Sequence, residues 1–466
     1  MTKTFINNYL YIVLTLFLLG CQEKSVSSDA PHKPILTIKE QQQLIEDLTN
    51  GAIIHYLWQE KDQYTIYLTN GTAVSLVKDR IPIITKGAYK TWMINGVDTE
   101  IPCASNEEQD SFPEITIANG VWCINGQQSA IPIIHQEELQ SITTSYIQCL
   151  LQTLHHVVFY LYDGTTVVIQ HTNNPPLDLT KKELRVLDIG NSYTEDATHY
   201  LAAIVQAAKI DVSDMCLYKA IRGGGSYMNW YNIYHDLEQY GYGISKVTGG
   251  LSANISSGGY QKDGAAFRSL LTENEWDLII VHQYSVYAPY YGQWNTTKAG
   301  GYLPQLWDLI RAHQPNATIG LLLIHSYWSG YGGNKEHSSL LRWEKTAQSV
   351  KQCCEDYNIS FIVPYGTAIQ NIRSSSLNNE YDLTADGSHC ASGLADYTAA
   401  CCYFQALFAP RYNLSVQANS ARWSNTSGET AKYPSSIIDV TDQNAPIAHQ
   451  AAILAVEEPY RCINPE

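Results

Sequence analysis

The apolar positions of this chain follow two rhythms. Beyond about residue 183, short unbroken apolar runs alternate with stretches where apolar side chains return every three or four residues. Leu184–Ile189 (LRVLDI), Trp276–Val281, Thr318–Ile324 and Ile359–Val363 are runs of the first kind and predict strands buried on both faces. Met215–Ile221 reads as another strand. Ala197, Leu201, Ile204, Val205 and Ala208 recur at helical spacing, which predicts one helix from Thr194 with Glu195 and Asp196 at its positive end. Helical patterns also cover Tyr227–Tyr240, Leu303–His313, Glu336–Tyr357 and Gly393–Phe408. Strands separated by helices predict an α/β fold with a parallel sheet covered on both sides.

Residues 36–172 follow the other rhythm. After a helical pattern at Ile38–Leu48, short apolar runs are separated by turn signals. One block is repeated: Pro82-Ile83-Ile84-Thr85 leads to Trp92-Met93-Ile94-Asn95-Gly96, and Pro113-Glu114-Ile115-Thr116 to Trp122-Cys123-Ile124-Asn125-Gly126. Asn-Gly between apolar runs is a strong hairpin signal. Tyr67–Thr72 and Tyr160–Thr165 form a second matching pair. The expectation is a small β-rich module of repeated hairpins. Trp92 and Trp122 suit either packing between repeats or stacking on sugar faces, and packing is expected. No acid pair or nucleophile–base pair is visible in this part.

His171–Lys182 contains Asn-Asn-Pro-Pro, which continues neither strand nor helix, so residues 173–182 read as a linker to an α/β domain at 183–410. Residues 411–466 form a C-terminal extension whose one patterned stretch is a short helix at Ala445–Glu457. At the other end, Lys3 precedes an apolar run at Tyr9–Leu19, too short to span a bilayer, which closes on Leu18-Leu19-Gly20-Cys21. This resembles a bacterial lipoprotein signal at 1–20. Cys21 is then the lipidated first residue of the mature chain and 21–35 a polar tether. A plain secretory signal is the alternative. The expectation is export and a lipid anchor in the bacterial outer membrane, on its periplasmic or outer face.

The net charge is -16, and no basic run appears, which argues against nucleic acid as a partner. Only 16% of residues are charged, whereas tyrosines number 33, a balance that suits exported, sugar-handling proteins. Of the 11 cysteines, Cys353-Cys354 and Cys401-Cys402 are adjacent pairs inside helical patterns and read as buried thiols. With no CxxC and no cluster of ligands in sequence, no metal and no cofactor are expected.

Ser192 lies at the tip of the strand–turn–helix signal LDIGNSYTED, where α/β folds expose ligand-binding residues. Ser192-x-x-Glu195 is equally a capping box, the commonest use of a serine before a helix. The pair Asp386-x-x-His389, on a Gly/Ser loop, changes the balance. A carboxylate can hold one imidazole nitrogen while the other faces a hydroxyl, the arrangement serine hydrolysis requires. His282 and His325 also end strands, but neither has an acid at close spacing, and both read as structural.

Residues 184 to about 408 resemble the SGNH (GDSL-like) hydrolase superfamily, in particular a Bacteroides-type branch whose first motif is Gly-Asn-Ser. The resemblance rests on Gly190-Asn191-Ser192 and on Asp386-x-x-His389. It implies an SGNH-like sheet, Ser192 as nucleophile, and His389 and Asp386 as base and orienting acid. The second family block supplies an oxyanion-hole glycine, matched here by Gly224 or Gly225. The usual Gly-x-Asn block is absent. In this branch a glutamine stands there, which makes Gln283 a third donor beside the Ser192 N–H and Gly224. The implied activity is a serine esterase that removes acyl groups, acetyl above all, from carbohydrate. A glycan-binding surface lipoprotein with an inactive hydrolase domain, and a lipase or thioesterase on the same triad, are the alternatives.

Two loops after strands carry the expected substrate contacts. Tyr284, Tyr287 and Trp294 lie in the first, and Trp328 in the second. Their rings can stack on sugar C–H faces in a poly- or oligosaccharide substrate, or simply cap the sheet.

Overall fold

The computed structural model describes residues 36–466 except 53, 60–61, 69–72, 79–80, 88–90, 104–111, 134–145, 154–155, 171–173, 182, 212–215, 238–240, 248–253 and 256–260. The signal at 1–20, the tether with Cys21, and the Asn70-Gly71 turn lie outside the described residues.

Helix α1 (Ile38–Thr49) opens the described chain with a Thr37/Glu40 capping box and buries Leu44, Ile45 and Leu48. Four antiparallel three-stranded units follow, of which the second and fourth are joined by a parallel strand pair into one six-stranded sheet. β1 (Ile54–Gln59), β2 (Gln63–Leu68) and β3 (Ala73–Val77) form the first; β4 (Ile83–Lys86), β5 (Thr91–Ile94) and β6 (Val97–Pro102) the second. β7 (Ile115–Ala118), β8 (Val121–Ile124) and β9 (Gln127–Pro132) repeat the second unit; β10 (Ile147–Gln152), β11 (His156–Leu161) and β12 (Thr166–Gln170) repeat the first. The repetition reaches single residues. The register slips at Ile54/Tyr56 and at Ile147/Cys149 alike. Asn95 and Asn125 turn with φ of 48° and 51°, each followed by a glycine at positive φ, which the tight hairpin needs. Trp92 and Trp122 are buried with Ile84, Ile94, Ile124 and Cys149, so they pack between strands.

Asn174, in the segment read as a linker, is fastened to the next part of the fold. Its Nδ2 donates to Ile319 O at 3.0 Å, and its Oδ1 accepts the Ile319 N–H at 2.8 Å and Arg311 Nη2 at 2.7 Å. The side chain satisfies a strand's backbone as a neighbouring strand would.

The α/β part is a seven-stranded sheet in the order β16-β15-β14-β13-β17-β18-β19. β13 (Arg185–Gly190) is central, parallel to β14 (Cys216–Ile221) on one side and β17 (Leu278–Val281) on the other. β18 (Thr318–Leu322) and β19 (Ile362–Val363) extend the parallel set. β15 (Gly243–Val247) and β16 (Asn254–Ile255) add an antiparallel edge that the apolar pattern does not announce. β15 is only half buried along most of its length, so no continuous apolar run marks it.

Alternate residues of the central strands feed two cores. Val186, Leu278 and Ile280 face one, with α3 (Leu201–Ala207), α9 (Tyr365–Arg373), α10 (Leu394–Leu407) and α12 (Ala445–Glu457). Leu187, Ile189, Ile279 and Val281 face the other, with α4 (Tyr227–Tyr234), α5 (Ala265–Thr272), α7 (Leu303–His313) and α8 (Ser339–Tyr357). Each such aliphatic side chain, fully removed from water, contributes roughly 2 kcal/mol. Ala445, Ala448, Ala451, Ala452 and Ala455 are fully buried, so the C-terminal helix is part of the core rather than an appendage. The expected long helix after Ser192 is two helices, α2 (Ser192–Thr198) and α3, broken at His199 and Tyr200. The remaining helices are short, α6 (Tyr291–Trp294) and α11 (Ala409–Tyr412).

Candidate active site

Four loops at the carboxyl ends of β13, β14, β17 and β18, with the segment before α10, build the site. At the end of β13, Gly190 is needed for a close approach: a Cβ there would meet His282 Nε2 at 2.2 Å. Asn191, not Ser192, is the N-cap of α2, with Oδ1 accepting the Tyr193 N–H at 3.0 Å. The capping-box reading of Ser192 therefore does not hold. Ser192 is the first helical residue and its hydroxyl is left for another partner. The Nδ2 of Asn191 donates to Gly225 O at 2.9 Å, which fastens the glycine loop after β14 to the turn of the serine.

Ser192 Oγ lies 2.9 Å from His389 Nε2, and His389 Nδ1 lies 2.8 Å from Asp386 Oδ2. Asp386 Oδ1 accepts the N–H groups of Ser388 at 2.8 Å and His389 at 2.9 Å, and the Ser388 hydroxyl at 3.1 Å. Burial pushes the Asp386 carboxyl up, but the bonds from the His389 ring and from these N–H groups outweigh it and hold it well below the usual range. The bond to Asp386 raises His389 to about 9, against a smaller opposing effect of burial. Tyr193 O–H donates to Ser388 O at 2.7 Å and so fixes the loop from the serine side. All three triad side chains are partly open to solvent.

The N–H groups of Ser192 and Gly224 have no partner among the described residues, whereas the Gly225 N–H donates to Arg222 O at 2.8 Å. That separates the two glycine candidates in favour of Gly224, which sits at φ +61° under the ring of Tyr284. Gln283 departs from the expected role. It is buried, its Nε2 donates to Gly300 O at 3.0 Å, and its Oε1 accepts the Tyr284 N–H at 2.9 Å. Its amide braces the loop 284–300.

The aromatic residues divide as well. Tyr284 and Tyr287 are half exposed and meet edge to face at 5.9 Å, Tyr284 beside Gly224 and Tyr287 beside Gly300. Trp294 is 1% exposed, with Nε1 donating to Tyr287 O, and is a core residue with no free face for a sugar. Trp328 packs its ring against Tyr381 and Tyr433 at 5.2 Å and 5.4 Å, while its backbone N–H donates to Gly387 O. It braces the acid–histidine loop from outside. Sequence reasoning did not find the tying roles of Asn191, Tyr193 and Ser388. The signal available was their place within the two motifs.

His282 is buried and bonded to Asn191 N–H, Thr194 and Gln283 O, and burial lowers it to about 4. His325 is likewise buried, with Asp196 and Cys390 beside it; the possible ligand atoms of these three lie within 4.8 Å of one another. Arg373 Nη1 donates to Ser326 O, the same carbonyl that lies against His325 Nδ1, so a guanidinium charge opposes a metal ion there.

A solved DUF4886 family protein from Bacteroides uniformis ATCC 8492 is similar to this chain at 23% identity and a TM-score of 0.46, over 60% of this chain and 97% of that one. A mutant of an acetyl-xylooligosaccharide esterase from Geobacillus Stearmophilus is similar at 12% identity and a TM-score of 0.24, over 41% and 80%. Among curated proteins none is similar to this chain. The model of a domain of unknown function, DUF4886, matches residues 185–434, which hold the whole serine, histidine and aspartate arrangement, and the chain belongs to that family.

Proposed function

We infer that this protein is a serine esterase. The observation that carries the reading is the continuous relay from Ser192 Oγ through His389 to Asp386 at 2.9 Å and 2.8 Å. In the proposed reaction the Ser192 proton passes to His389 Nε2 as Oγ bonds to the ester carbonyl carbon. The oxyanion is held by the N–H groups of Ser192 and Gly224, each worth on the order of 3 kcal/mol. His389 then returns the proton to the leaving alkoxide, and the acyl group stays on Ser192. Water, deprotonated by the same ring, attacks the acyl carbon and releases the acid.

The substrate class we favour is acetylated poly- or oligosaccharide. The resemblance at the two motifs supports it, as do the half-exposed ring of Tyr284 beside Gly224 and that of Tyr287 next to it. The Leu18-Leu19-Gly20-Cys21 sequence supports export and a lipid anchor at Cys21 in the bacterial outer membrane. The test is acetate release from a panel of acetylated glycans by the detergent-solubilised full chain, with Ser192→Ala as control. Release by wild type alone supports the reading. No release from any glycan or from p-nitrophenyl acetate overturns it and leaves glycan binding as the alternative. Retention of Cys21→Ala in the membrane fraction overturns the anchor.

A further inference from the structure

Behind the Ser192–His389 contact lies a second acid–histidine pair that the proposed reaction does not use. Asp196 follows Ser192 by one turn on α2. Its Oδ2 accepts the N–H of Cys390, the residue after His389, at 3.1 Å. One carboxylate oxygen thus ties the helix of the serine to the segment of the histidine. The same Oδ2 lies 3.2 Å from His325 Nε2, and His325 Nδ1 lies 2.9 Å from Ser326 O.

Counting protons is informative here. A carbonyl only accepts, so His325 Nδ1 carries its hydrogen. In a neutral ring Nε2 is then bare, and a bare nitrogen facing a carboxylate needs one further proton between them. Burial acts on both groups toward the uncharged form, raising Asp196 to about 6 and holding His325 well below its ordinary range. Several groups face the pair. Arg373 and Tyr365 approach from α9, and His389, Asp386 and Cys390 from the loop before α10. The ring of Tyr193 stacks on His325 at 4.6 Å, and Asp396, bonded to His199, lies beyond Asp196.

We propose that Asp196 and His325 are positioning residues for the reaction: a buried pair sharing one proton, which locks the His389 segment to the nucleophile helix and, on losing that proton, places an anion behind the His389 imidazolium. The rate consequence rests on the esterase reading; the proton sharing does not. Two protons are linked by this arrangement. As the pair loses its own, His389 holds its proton more tightly. The base therefore becomes free only at higher pH than an isolated histidine, but its charged form is better stabilised once it has taken the Ser192 proton.

The experiment is an NMR titration of the His389 ring in the full chain, beside the pH profile of kcat/KM on p-nitrophenyl acetate. Asp196→Asn removes the anion. The His389 midpoint should fall by about one unit and the rising limb of kcat/KM should move with it, with KM little changed. His325→Gln places a permanent N–H donor where Nε2 stood. Asp196 then stays ionised to lower pH, and the His389 midpoint should stay at or above wild type. Asp196→Glu should recover part of the shift. A folded Asp196→Asn variant with the wild-type midpoint overturns the proposal, and so does a fall in both variants. If Asp196→Asn does not fold, a fall in His325→Gln alone overturns it. Titrations that behave as expected in a protein that hydrolyses no ester leave the pair standing and remove the esterase reading.

Discussion

The hairpin module and the α/β domain both place an asparagine at a turn, and they use it differently. In the module, Asn95 Oδ1 accepts the Ile83 N–H, 12 residues away, and Asn125 Oδ1 accepts the Glu114 N–H, 11 residues away. Both close a hairpin on itself. In the α/β domain, Asn191 caps the helix of Ser192 and reaches Gly225, 34 residues away, on another loop. Ser192 meets a histidine 197 residues away. Local partners make a module that can be duplicated whole, and the two units are indeed repeated register for register. Distant partners make a site that works only when several strands and helices have come together. The difference predicts that damage to the module costs stability alone, whereas damage at the same residue type near Ser192 costs turnover.

The largest effects should come from the relay. Asp386→Asn should cut turnover by up to roughly ten-thousandfold with substrate binding almost unchanged, because an amide can hold the wrong tautomer and does not offset the imidazolium charge. Ser192→Ala and His389→Ala should each be about as damaging, and combinations little worse, since the parts act as a unit. The Ser192→Ala melting curve should stay normal, because the serine side chain is partly solvated. Single variants that keep turnover within a few-fold of wild type would reduce Ser192 to a helix residue without chemistry.

The pH dependence follows from the same contacts. A base held up at about 9 is mostly protonated at neutral pH, so kcat/KM should climb as pH rises toward that value. Stability should run the other way on the alkaline side. A histidine whose folded pKa is raised adds stability that is complete below its ordinary value of about 6.5 and is lost as pH rises through about 9. Asp386, held low, adds stability above the ordinary carboxylate range that is lost as pH falls through its folded pKa. Melting temperature across pH, in wild type and Asp386→Asn, checks both. A wild-type curve that matches the variant at every pH would show that this pair contributes nothing to folding.

Asn191→Ala should come next, with two losses in one substitution. The missing cap should lower stability by about 1 kcal/mol. Release of Gly225 O should also loosen the loop that presents the Gly224 N–H, and turnover should fall on the order of a hundredfold, as when an oxyanion donor is lost. A stability loss with turnover intact would show that Asn191 is a cap and nothing else. Gln283→Met is the contrasting variant. It should destabilise the loop 284–300 by about 1 to 3 kcal/mol, yet keep kcat within a few-fold. A hundredfold fall in kcat at unchanged stability would restore Gln283 as an oxyanion donor.

These contrasts also explain what could be read in the sequence. The strands after residue 183 were legible because burial on both faces leaves an unbroken apolar run, and the hairpin module because it repeats and marks its turns with Asn-Gly. β15 was not legible, since a half-buried antiparallel edge carries neither run nor repeat. At the site, Ser192, Asp386 and His389 stand out by residue type and spacing, and the structure brings them into contact. The roles of Gln283 and Trp294 are not legible, because a side chain in the segment after a strand is equally suited to a ligand or to its own loop. Only packing decides: Gly300 O takes the Gln283 amide, and Tyr287 O takes the Trp294 N–H. Asp196 reads only as a favourable charge at the helix start, because its two partners, Cys390 and His325, lie far away in sequence.

The smallest expected effect tests the module against itself. Asn95 and Asn125 stand at matched turns with matched bonds of 2.9 Å, so Asn95→Ala and Asn125→Ala should cost nearly the same. The alanine loses one side-chain bond, about 1 kcal/mol, and must hold a left-handed backbone that asparagine tolerates better, roughly 1 kcal/mol more. One asymmetry is visible. Asn95 Nδ2 also donates to Lys78 O at 3.3 Å, a long bond to the end of the preceding hairpin, so Asn95→Ala should be the costlier by a few tenths of a kcal/mol. Turnover should be unchanged in both, since the bonds lost belong to hairpins that contribute no residue to the relay. Denaturant melts read the first quantity and p-nitrophenyl acetate hydrolysis the second. If either variant, still folded at the assay temperature, loses turnover tenfold, the module is coupled to the site, and the division between a self-contained hairpin array and a long-range catalytic assembly fails.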